Sequence, residues 1–290
     1  MSTVRKWSAF AWERHNPLIY LAFAALFLLA HYSLYGNAEF VFALYKFGGL
    51  LIGVFAFLFK LRLFDEIKDF EHDAIAHPGR PLIRGSILHF DLYQGIALCT
   101  LFEFVTFGLF GWPGLTAIVI ADAYAFLMFK EFFLRLWIRE RLILYAITHT
   151  FVAALLSLAV FAALSSTLVW SLDHVAYLFA VSNWLVFNIY EFGRKSFAEE
   201  EENKKADSYS RKYGKSTAPF LAGANGILLV YLASEISAPQ IPFLIVMEGF
   251  LLILATLLAI TNRKSFGILF RIWTLLFIIA FYFAFIVIHL

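Results

Sequence analysis

Charged residues are scarce in this chain. Asp, Glu, Lys and Arg make up 15% of its 290 residues, whereas hydrophobic residues make up 62% and the mean hydropathy is +0.78. A typical soluble domain is about half apolar and about a quarter charged. The excess of apolar residues is too large for one globular core, so the composition indicates a chain surrounded mostly by lipid.

Cysteine is nearly absent as well. Cys99 is the only one, which excludes an intrachain disulfide and predicts a small apolar residue inside a membrane helix. The basic residues lie between apolar runs rather than on one helix or tail, so we expect no nucleic-acid partner. The first apolar run, from about Pro17 to Leu34, is long enough to span a bilayer and predicts a retained helix rather than a cleaved signal peptide.

The apolar runs divide the chain into membrane spans. A membrane helix needs about 20 mostly apolar residues, and nine runs meet that length. They lie near 17–35, 41–63, 88–110, 114–134, 142–164, 174–192, 217–236, 241–261 and 268–289.

The positions of the basic residues support this count. Residues near the end of a run, such as Lys60 and Arg62, are assigned to the adjoining connector. Every Lys and Arg except Lys46 then falls in the N-terminal segment or in alternate connectors, which places 22 of the 23 basic residues on one side of nine spans. Lys and Arg are enriched in cytoplasmic loops. The sequence therefore predicts an all-α integral membrane protein with one domain over residues 1–290 and a cytoplasmic N-terminus. Its two longest charged connectors, near 64–87 and 193–216, are predicted cytoplasmic loops.

The first charged connector carries an acidic motif. Asp65, Glu66, Asp69 and Asp73 stand at i, i+1, i+4 and i+8, which places them on one face of a helix. Clustered carboxylates repel one another unless a cation lies among them, and Mg²⁺ accepts such hard oxygen ligands together with a substrate's phosphates. The alternative is a solvated acidic helix end.

The second charged connector combines acids with bases. Glu191 ends the sixth run, Arg194 and Lys195 follow it, and four consecutive glutamates span 199–202. Carboxylates that hold Mg²⁺ beside basic groups that contact phosphate would suit a metal–diphosphate complex. The alternative is again a solvated loop.

These two motifs resemble those of the UbiA superfamily of membrane prenyltransferases. That family has an N-D-x-x-D-x-x-x-D motif after its second helix and a second Asp-rich motif after the sixth of nine helices. The first motif here keeps the spacing, with Asp65 in place of Asn and Glu66 in place of the first Asp. Arg80-Pro81 also resembles a family feature. The string from Arg62 to Asp73 is similar to one bacterial branch, as are these residues of the second connector: Glu191, Arg194, Lys195, Ala198, Glu200, Glu201, Glu202, Tyr209, Ser210 and Gly214.

The resemblance implies nine helices around a central cavity in a bacterial inner membrane. It implies Mg²⁺-dependent transfer of a prenyl group from a prenyl diphosphate to a small-molecule acceptor, often aromatic, inside the membrane. The implied metal ligands are Asp65, Glu66, Asp69, Asp73, Glu191, Glu200 and Glu201, and the first four together with Glu191 are the candidate catalytic residues. The candidate substrate-binding residues are Arg80, Lys130, Asn188, Arg194 and Lys195. No protein partner is indicated.

Other polar residues have less specific interpretations. Arg14 could reach the diphosphate and Arg84 could bind phosphate, but both are more simply explained as cytoplasmic anchors. Asp122 and Glu248 lie at the wrong depth for the metal, so we expect them to pair between helices.

Three other functions remain open. A CDP-alcohol phosphotransferase would carry D-G-x-x-A-R, but Asp73 is followed by Ala-Ile-Ala. A transporter would place its charges at mid-membrane, whereas the acidic residues here concentrate at one face. A non-catalytic, lipid-binding relative of the prenyltransferases is the third alternative.

Overall fold

A computed structural model describes residues 3–35, 44–202 and 208–289. Every regular element in these ranges is helical. The helices are α1 (Thr3–Arg14), α2 (Pro17–Tyr35), α3 (Leu44–Lys68), α4 (Phe70–Ala76), α5 (His89–Gly108), α6 (Gly111–Phe129), α7 (Arg135–Arg139), α8 (Leu142–Thr150), α9 (Val152–Ser165), α10 (His174–Arg194), α11 (Tyr209–Tyr213), α12 (Thr217–Ile236), α13 (Ile241–Thr261) and α14 (Lys264–His289). Short 3₁₀ turns occupy Glu131–Phe133, Val169–Ser171 and Glu199–Glu201.

Nine helical segments in the described ranges are long and apolar enough to cross a membrane, with α8 and α9 together forming the fifth. The predicted all-α class and the number of spans are confirmed. The single-domain assignment stays a prediction, as does the central cavity.

The end of the second span was predicted wrongly. The apolar run ends near residue 63, but α3 continues to Lys68, so Asp65 and Glu66 belong to the helix rather than to the connector. No Gly or Pro stands between Gly53 and Pro78, and the backbone therefore has no stop signal where the hydrophobicity ends. The start predicted for this span, residue 41, lies outside the described residues, as do residues 203–207 of the second connector.

The fifth span is interrupted near its middle. Helix α8 ends at Thr150 and α9 begins at Val152. The hydroxyl of Thr148 donates to the carbonyl of Leu144 (2.7 Å). Such a bond to the carbonyl four residues earlier competes with the helical ladder.

One compact unit comprises residues 1–133 and 159–170. Helix α3 packs chiefly against α5, and the N-terminal helix α1 joins their core through Trp7 and Phe10. Gly95 allows this close approach, because a Cβ there would lie 2.6 Å from the Trp7 ring and 2.9 Å from Leu63. Cys99 is buried in the same cluster, as predicted for a small apolar helix residue.

The second compact unit comprises residues 134–158 and 171–290. Helix α10 packs against α12 and α14 in this unit, and α13 contacts both α12 and α14. The contact between α10 and α14 depends on Gly193, because a Cβ at this position would lie 2.6 Å from the Cβ of Thr274.

Replacing Gly193 by alanine is expected to destabilise the protein by about 1–3 kcal/mol, because the added methyl group overfills a packed helix contact. Gly249 is the matched control: it also lies within a membrane helix, and a Cβ there meets nothing within 4 Å. Gly249→Ala should be neutral or stabilising by up to about 1 kcal/mol, since Ala favours the helix. Thermal unfolding of both variants in one detergent checks this, and equal melting temperatures would refute the role of Gly193.

Candidate functional site

The first acidic motif lies across the junction between α3 and α4. The amide of Asp69 donates to the carbonyl of Asp65 (2.9 Å), and the amide of Asp73 donates to that of Asp69 (2.8 Å). The helical spacing therefore runs through the junction, and the three aspartates follow one another at one-turn intervals, as predicted. Asp65 is half exposed and forms an ion pair with Lys68 at 2.9 Å.

Glu66, by contrast, is buried between two arginines. Its Oε1 accepts from Nε of Arg14 at 2.7 Å and from Nη2 of Arg62. Nη2 of Arg14 and Nε of Arg62 are also buried, and neither has a hydrogen-bond partner among the residues that the structure describes. A buried donor without an acceptor costs free energy, so these two N–H groups mark a place where an anion would be stabilised.

Asp73 is buried as well and binds a downstream arginine. Its Oδ2 accepts from Nη1 of Arg80, the candidate phosphate ligand of the R-P element. Arg84 instead forms an exposed ion pair with Glu13 at 2.6 Å, consistent with a surface anchor. The carboxylates at Glu66 and Asp73 are thus each held by arginine.

No three His, Cys, Asp or Glu side chains come together closely enough to hold a metal ion within residues 3–35, 44–202 and 208–289. Mg²⁺ commonly takes only one or two protein carboxylates and completes its shell with waters and substrate phosphates. Glu66 and Asp73 are buried, whereas Asp65 and Asp69 are partly exposed on successive turns, so the latter two fit that requirement better. The magnesium site itself stays a prediction.

Lys130 caps the C-terminal end of α6 beside the motif. Its Nζ lies 4.7 Å from the centre of the Phe129 ring, and that ring stacks at 4.6 Å on Phe64, the residue before Asp65. The next three residues all have positive φ, at 49° for Glu131, 54° for Phe132 and 58° for Phe133. A left-handed residue other than Gly costs about 1–2 kcal/mol, so packing must hold this turn in place.

The second motif lies at the C-terminal end of α10, in the other unit. Glu191 forms ion pairs with Arg194 at 2.5 Å and with Lys195 at 2.9 Å. Nζ of Lys195 also lies 5.8 Å from the ring centre of Tyr209, whose pKa is raised by burial. The two predicted phosphate ligands of this motif are therefore gathered around one carboxylate.

Asn188, one turn before Glu191, joins three helices. It accepts a hydrogen bond from Thr150 of α8 and donates to Oδ1 of Asn225 in α12 at 3.1 Å. Asn225 in turn donates to the carbonyl of Leu221 at 2.7 Å. Asn188 is 2% exposed, so its contacts are those of a helix-packing residue, and its predicted substrate contact stays untested.

Two residues of the four-glutamate segment form contacts with neighbouring side chains. Glu201 accepts from Arg271 of α14 at 2.6 and 3.1 Å, and Glu202 accepts from the hydroxyl of Ser208. Burial alone would raise the pKa of the Glu201 carboxyl, but hydrogen bonds from Arg271 and from the Ala198 amide bring it below its usual value. Glu200 is exposed. Of the two predicted metal ligands here, Glu200 is the more accessible.

Replacing Glu201 by glutamine is expected to destabilise the protein by about 1–3 kcal/mol at neutral pH, the contribution of hydrogen bonds to a charged group. Because the folded-state pKa is lowered, this contribution is present above the unfolded value of about 4.3 and disappears as the pH falls through the folded value. The difference in melting temperature between wild type and Glu201→Gln should be constant from pH 7 to about 5 and shrink below about 4. A melting-temperature difference that does not change with pH would contradict a stabilising role of the ionised Glu201 carboxylate.

Sequence reasoning missed an ion cluster inside the membrane. Lys60 was assigned to a connector, but it is 2% exposed within α3 and binds Glu103 of α5 and Asp122 of α6, the latter at 2.5 Å. The predicted interhelical pairing of Asp122 is confirmed. That of Glu248 is wrong, because neither of its carboxylate oxygens has a hydrogen-bond partner in the described part of the chain and the group lies against Gly226 of α12.

Comparison with known proteins decides the fold. No protein-family model and no curated protein sequence matches the chain. A solved structure of digeranylgeranylglyceryl phosphate synthase, a UbiA-superfamily membrane prenyltransferase, matches with a TM-score of 0.63 over 98% of both chains, at 17% sequence identity. The chain has a UbiA-type fold.

The UbiA-type fold accounts for where the two motifs lie. The first motif begins at the C-terminal end of the second membrane span, α3, and the second motif begins at the C-terminal end of the sixth, α10, close to the UbiA pattern. The resemblance found in the motifs is therefore confirmed at the level of the fold. An identity of 17% carries no assignment of activity or acceptor.

Proposed function

We propose that this protein transfers a prenyl group from a prenyl diphosphate to an acceptor in the membrane, with Mg²⁺ at the first motif. The observation that carries the proposal is the pair of buried, unpartnered N–H groups on Arg14 and Arg62 beside the acidic motif. Carboxylates alone would suit many cations, but arginines with spare donors among carboxylates suit a metal–diphosphate complex. The UbiA-type fold supports the same reading.

The residues of the first motif divide into two roles in this proposal. Asp65 and Asp69 hold the metal, and Arg14, Arg62 and Arg80 bind the diphosphate oxygens. Mg²⁺, when bound, neutralises charge that builds up on the diphosphate as it leaves. The bond between prenyl C1 and the bridging oxygen breaks with its electron pair on the oxygen, and the acceptor's nucleophile forms the new bond to C1. The arginines favour this step because their charge acts where the leaving group becomes more negative.

The donor is expected to be a long isoprenoid diphosphate. The structural neighbour is named for a product with two geranylgeranyl chains on glyceryl phosphate, so geranylgeranyl diphosphate is the first donor to test. The predicted metal and phosphate contacts of Glu191, Arg194 and Lys195 at the second motif belong to this proposal, as does an acceptor that is aromatic or a lipid. A cytoplasmic N-terminus in a bacterial inner membrane would place the motifs on the side where soluble diphosphates occur.

The test is equilibrium binding of geranylgeranyl diphosphate to the purified protein, with Mg²⁺ or with EDTA. We compare wild type with the Asp65→Asn/Asp69→Asn double variant. Mg²⁺ should tighten wild-type binding at least about 10-fold, the equivalent of 1.4 kcal/mol, and the double variant should lose that gain.

Glu71→Gln is the matched control, because Glu71 lies in α4 between two motif residues but outside the motif. It should bind like wild type. A binding affinity that changes neither with Mg²⁺ nor with the double substitution would overturn the proposal and favour a lipid-binding relative without turnover.

A further inference from the structure

A cavity of about 510 Å³ opens between α3, α5 and α6, within the first compact unit. Its walls are apolar and include Phe64, Ile96, Phe104 and Phe126. Phe126 is 47% exposed and lies on a membrane span, so the cavity is open on the side that faces lipid. A molecule dissolved in the bilayer could therefore enter it without crossing water.

The polar part of the lining consists of two members of the intramembrane ion cluster together with Tyr93, Thr100 and Lys130. Lys60 and Asp122 both line the cavity, and Glu103 lies behind them, fully buried. An ammonium group has three N–H donors. Two of them bind Glu103 and Asp122, and no oxygen in the part of the chain that the structure describes accepts the third. The remaining contact of Lys60 is with the ring of Phe57, 5.1 Å away.

Acceptor capacity is also left over at this place. Each carboxylate oxygen can accept two hydrogen bonds, and Oδ1 of Asp122 takes one, from Lys60. At Lys60 and Asp122 the cavity thus presents one spare donor and one spare acceptor side by side. Such buried polar groups favour a ligand that satisfies both.

The charged groups at the cavity favour some ligand head groups over others. An anionic head such as a phosphate would face the two carboxylates, and a cationic head would face Lys60. A hydroxyl group donates one hydrogen bond and accepts others, so it matches the spare pair without adding charge. The aliphatic and aromatic walls match a hydrocarbon chain.

We propose that this cavity binds a neutral lipid alcohol, whose hydroxyl lies between Lys60 and Asp122 and whose chain runs along Phe104 and Phe126 into the bilayer. One end of the cavity, at Phe64 and Lys130, adjoins the first motif, but its occupation does not depend on the proposed prenyl transfer. An isoprenoid alcohol and a diacylglycerol share this chemistry.

The test is photolabelling in phosphatidylcholine nanodiscs. The probe is a long-chain primary alcohol with a diazirine in its chain, and the comparison probe is its methyl ether, which cannot donate a hydrogen bond. The alcohol should label peptides of α5 and α6 saturably, about 2- to 10-fold more than the ether, the range expected for one net hydrogen bond. Equal labelling by both probes would overturn the proposal.

Two variants locate the labelling without disturbing the ion cluster. Ala123 lines the cavity, so Ala123→Phe should fill it and abolish the difference between the probes. Ile120 is a lipid-exposed residue of the same helix outside the lining, so Ile120→Phe should leave the difference unchanged. Labelling that survives Ala123→Phe would show that the alcohol binds elsewhere.

Competition with unlabelled lipids then distinguishes the two ligand classes, an isoprenoid alcohol and a diacylglycerol. Geranylgeraniol and dioleoylglycerol are each added in excess before irradiation. Displacement by one of them supports the site and assigns its ligand class, whereas displacement by neither refutes a lipid-alcohol site.

Discussion

Replacing Arg14 by methionine is expected to weaken the binding of geranylgeranyl diphosphate by about 10- to 100-fold, as expected for a lost hydrogen bond between charged groups. Arg14 lies at the end of α1, far from the motif in sequence, yet it contacts Glu66 and keeps a buried N–H without a partner. If that N–H binds the diphosphate, its removal affects donor binding directly. Titration of wild type and variant with the labelled donor in the presence of Mg²⁺ measures the effect.

Arg84→Met is the matched control for Arg14→Met. Arg84 also contacts the N-terminal helix, through Glu13, but its ion pair is exposed and lies outside the motif. Exposed ion pairs contribute about 0–1 kcal/mol, so this variant should bind the donor like wild type. Because Arg14→Met also removes a partner of Glu66, Arg14→Met/Glu66→Gln serves as a second variant that leaves no unpaired carboxylate. Donor binding that recovers fully in the double variant would show that Arg14 only holds Glu66 in place.

The Lys60→Met variant is expected to be the least stable single substitution in the first compact unit. It leaves Glu103 and Asp122 without their cation inside the membrane, and removing one member of a buried ion cluster typically costs about 3–5 kcal/mol. Thermal unfolding in detergent should show a large drop in melting temperature.

Two further variants test whether unpaired charge causes this loss of stability. Lys46 is an exposed lysine on the same helix, and Lys46→Met should change stability by about 0.5 kcal/mol or less. A Lys60→Met/Glu103→Met/Asp122→Leu variant, which removes all three charges, should recover most of the lost stability because apolar residues can replace a buried cluster. A triple variant as unstable as the single one would contradict the role of unpaired charge.

The sequence alone was sufficient for the spans and for the first motif, because both depend on local patterns. Apolar length predicts a membrane helix whatever its neighbours, and the i, i+4, i+8 spacing survives the junction between α3 and α4. The same reasoning assigned Lys60 to a connector, because a hydropathy pattern treats a lysine as an interruption. Its two acidic partners lie 43 and 62 residues away in the sequence, and no local sequence pattern indicates them.

The ion-pair partners of the glutamates in the two motifs could not be predicted from the sequence either. Arg14 binding Glu66 and Arg271 binding Glu201 are contacts between distant segments, separated by 52 and 70 residues. The left-handed turn at 131–133 was also unforeseen, because its residues are Glu, Phe and Phe rather than the Gly or Asn that usually mark positive φ.

The most direct test of the central claim is Mn²⁺ binding, followed by electron paramagnetic resonance as a stand-in for Mg²⁺. The carboxylates of the first motif are not assembled into a three-ligand site, so the protein should bind Mn²⁺ weakly alone and much more tightly with geranylgeranyl diphosphate. The gain should be lost in Asp65→Asn/Asp69→Asn and kept in Glu71→Gln. Tight Mn²⁺ binding without diphosphate, or binding that the double substitution leaves unchanged, would contradict a metal–diphosphate complex at the first motif.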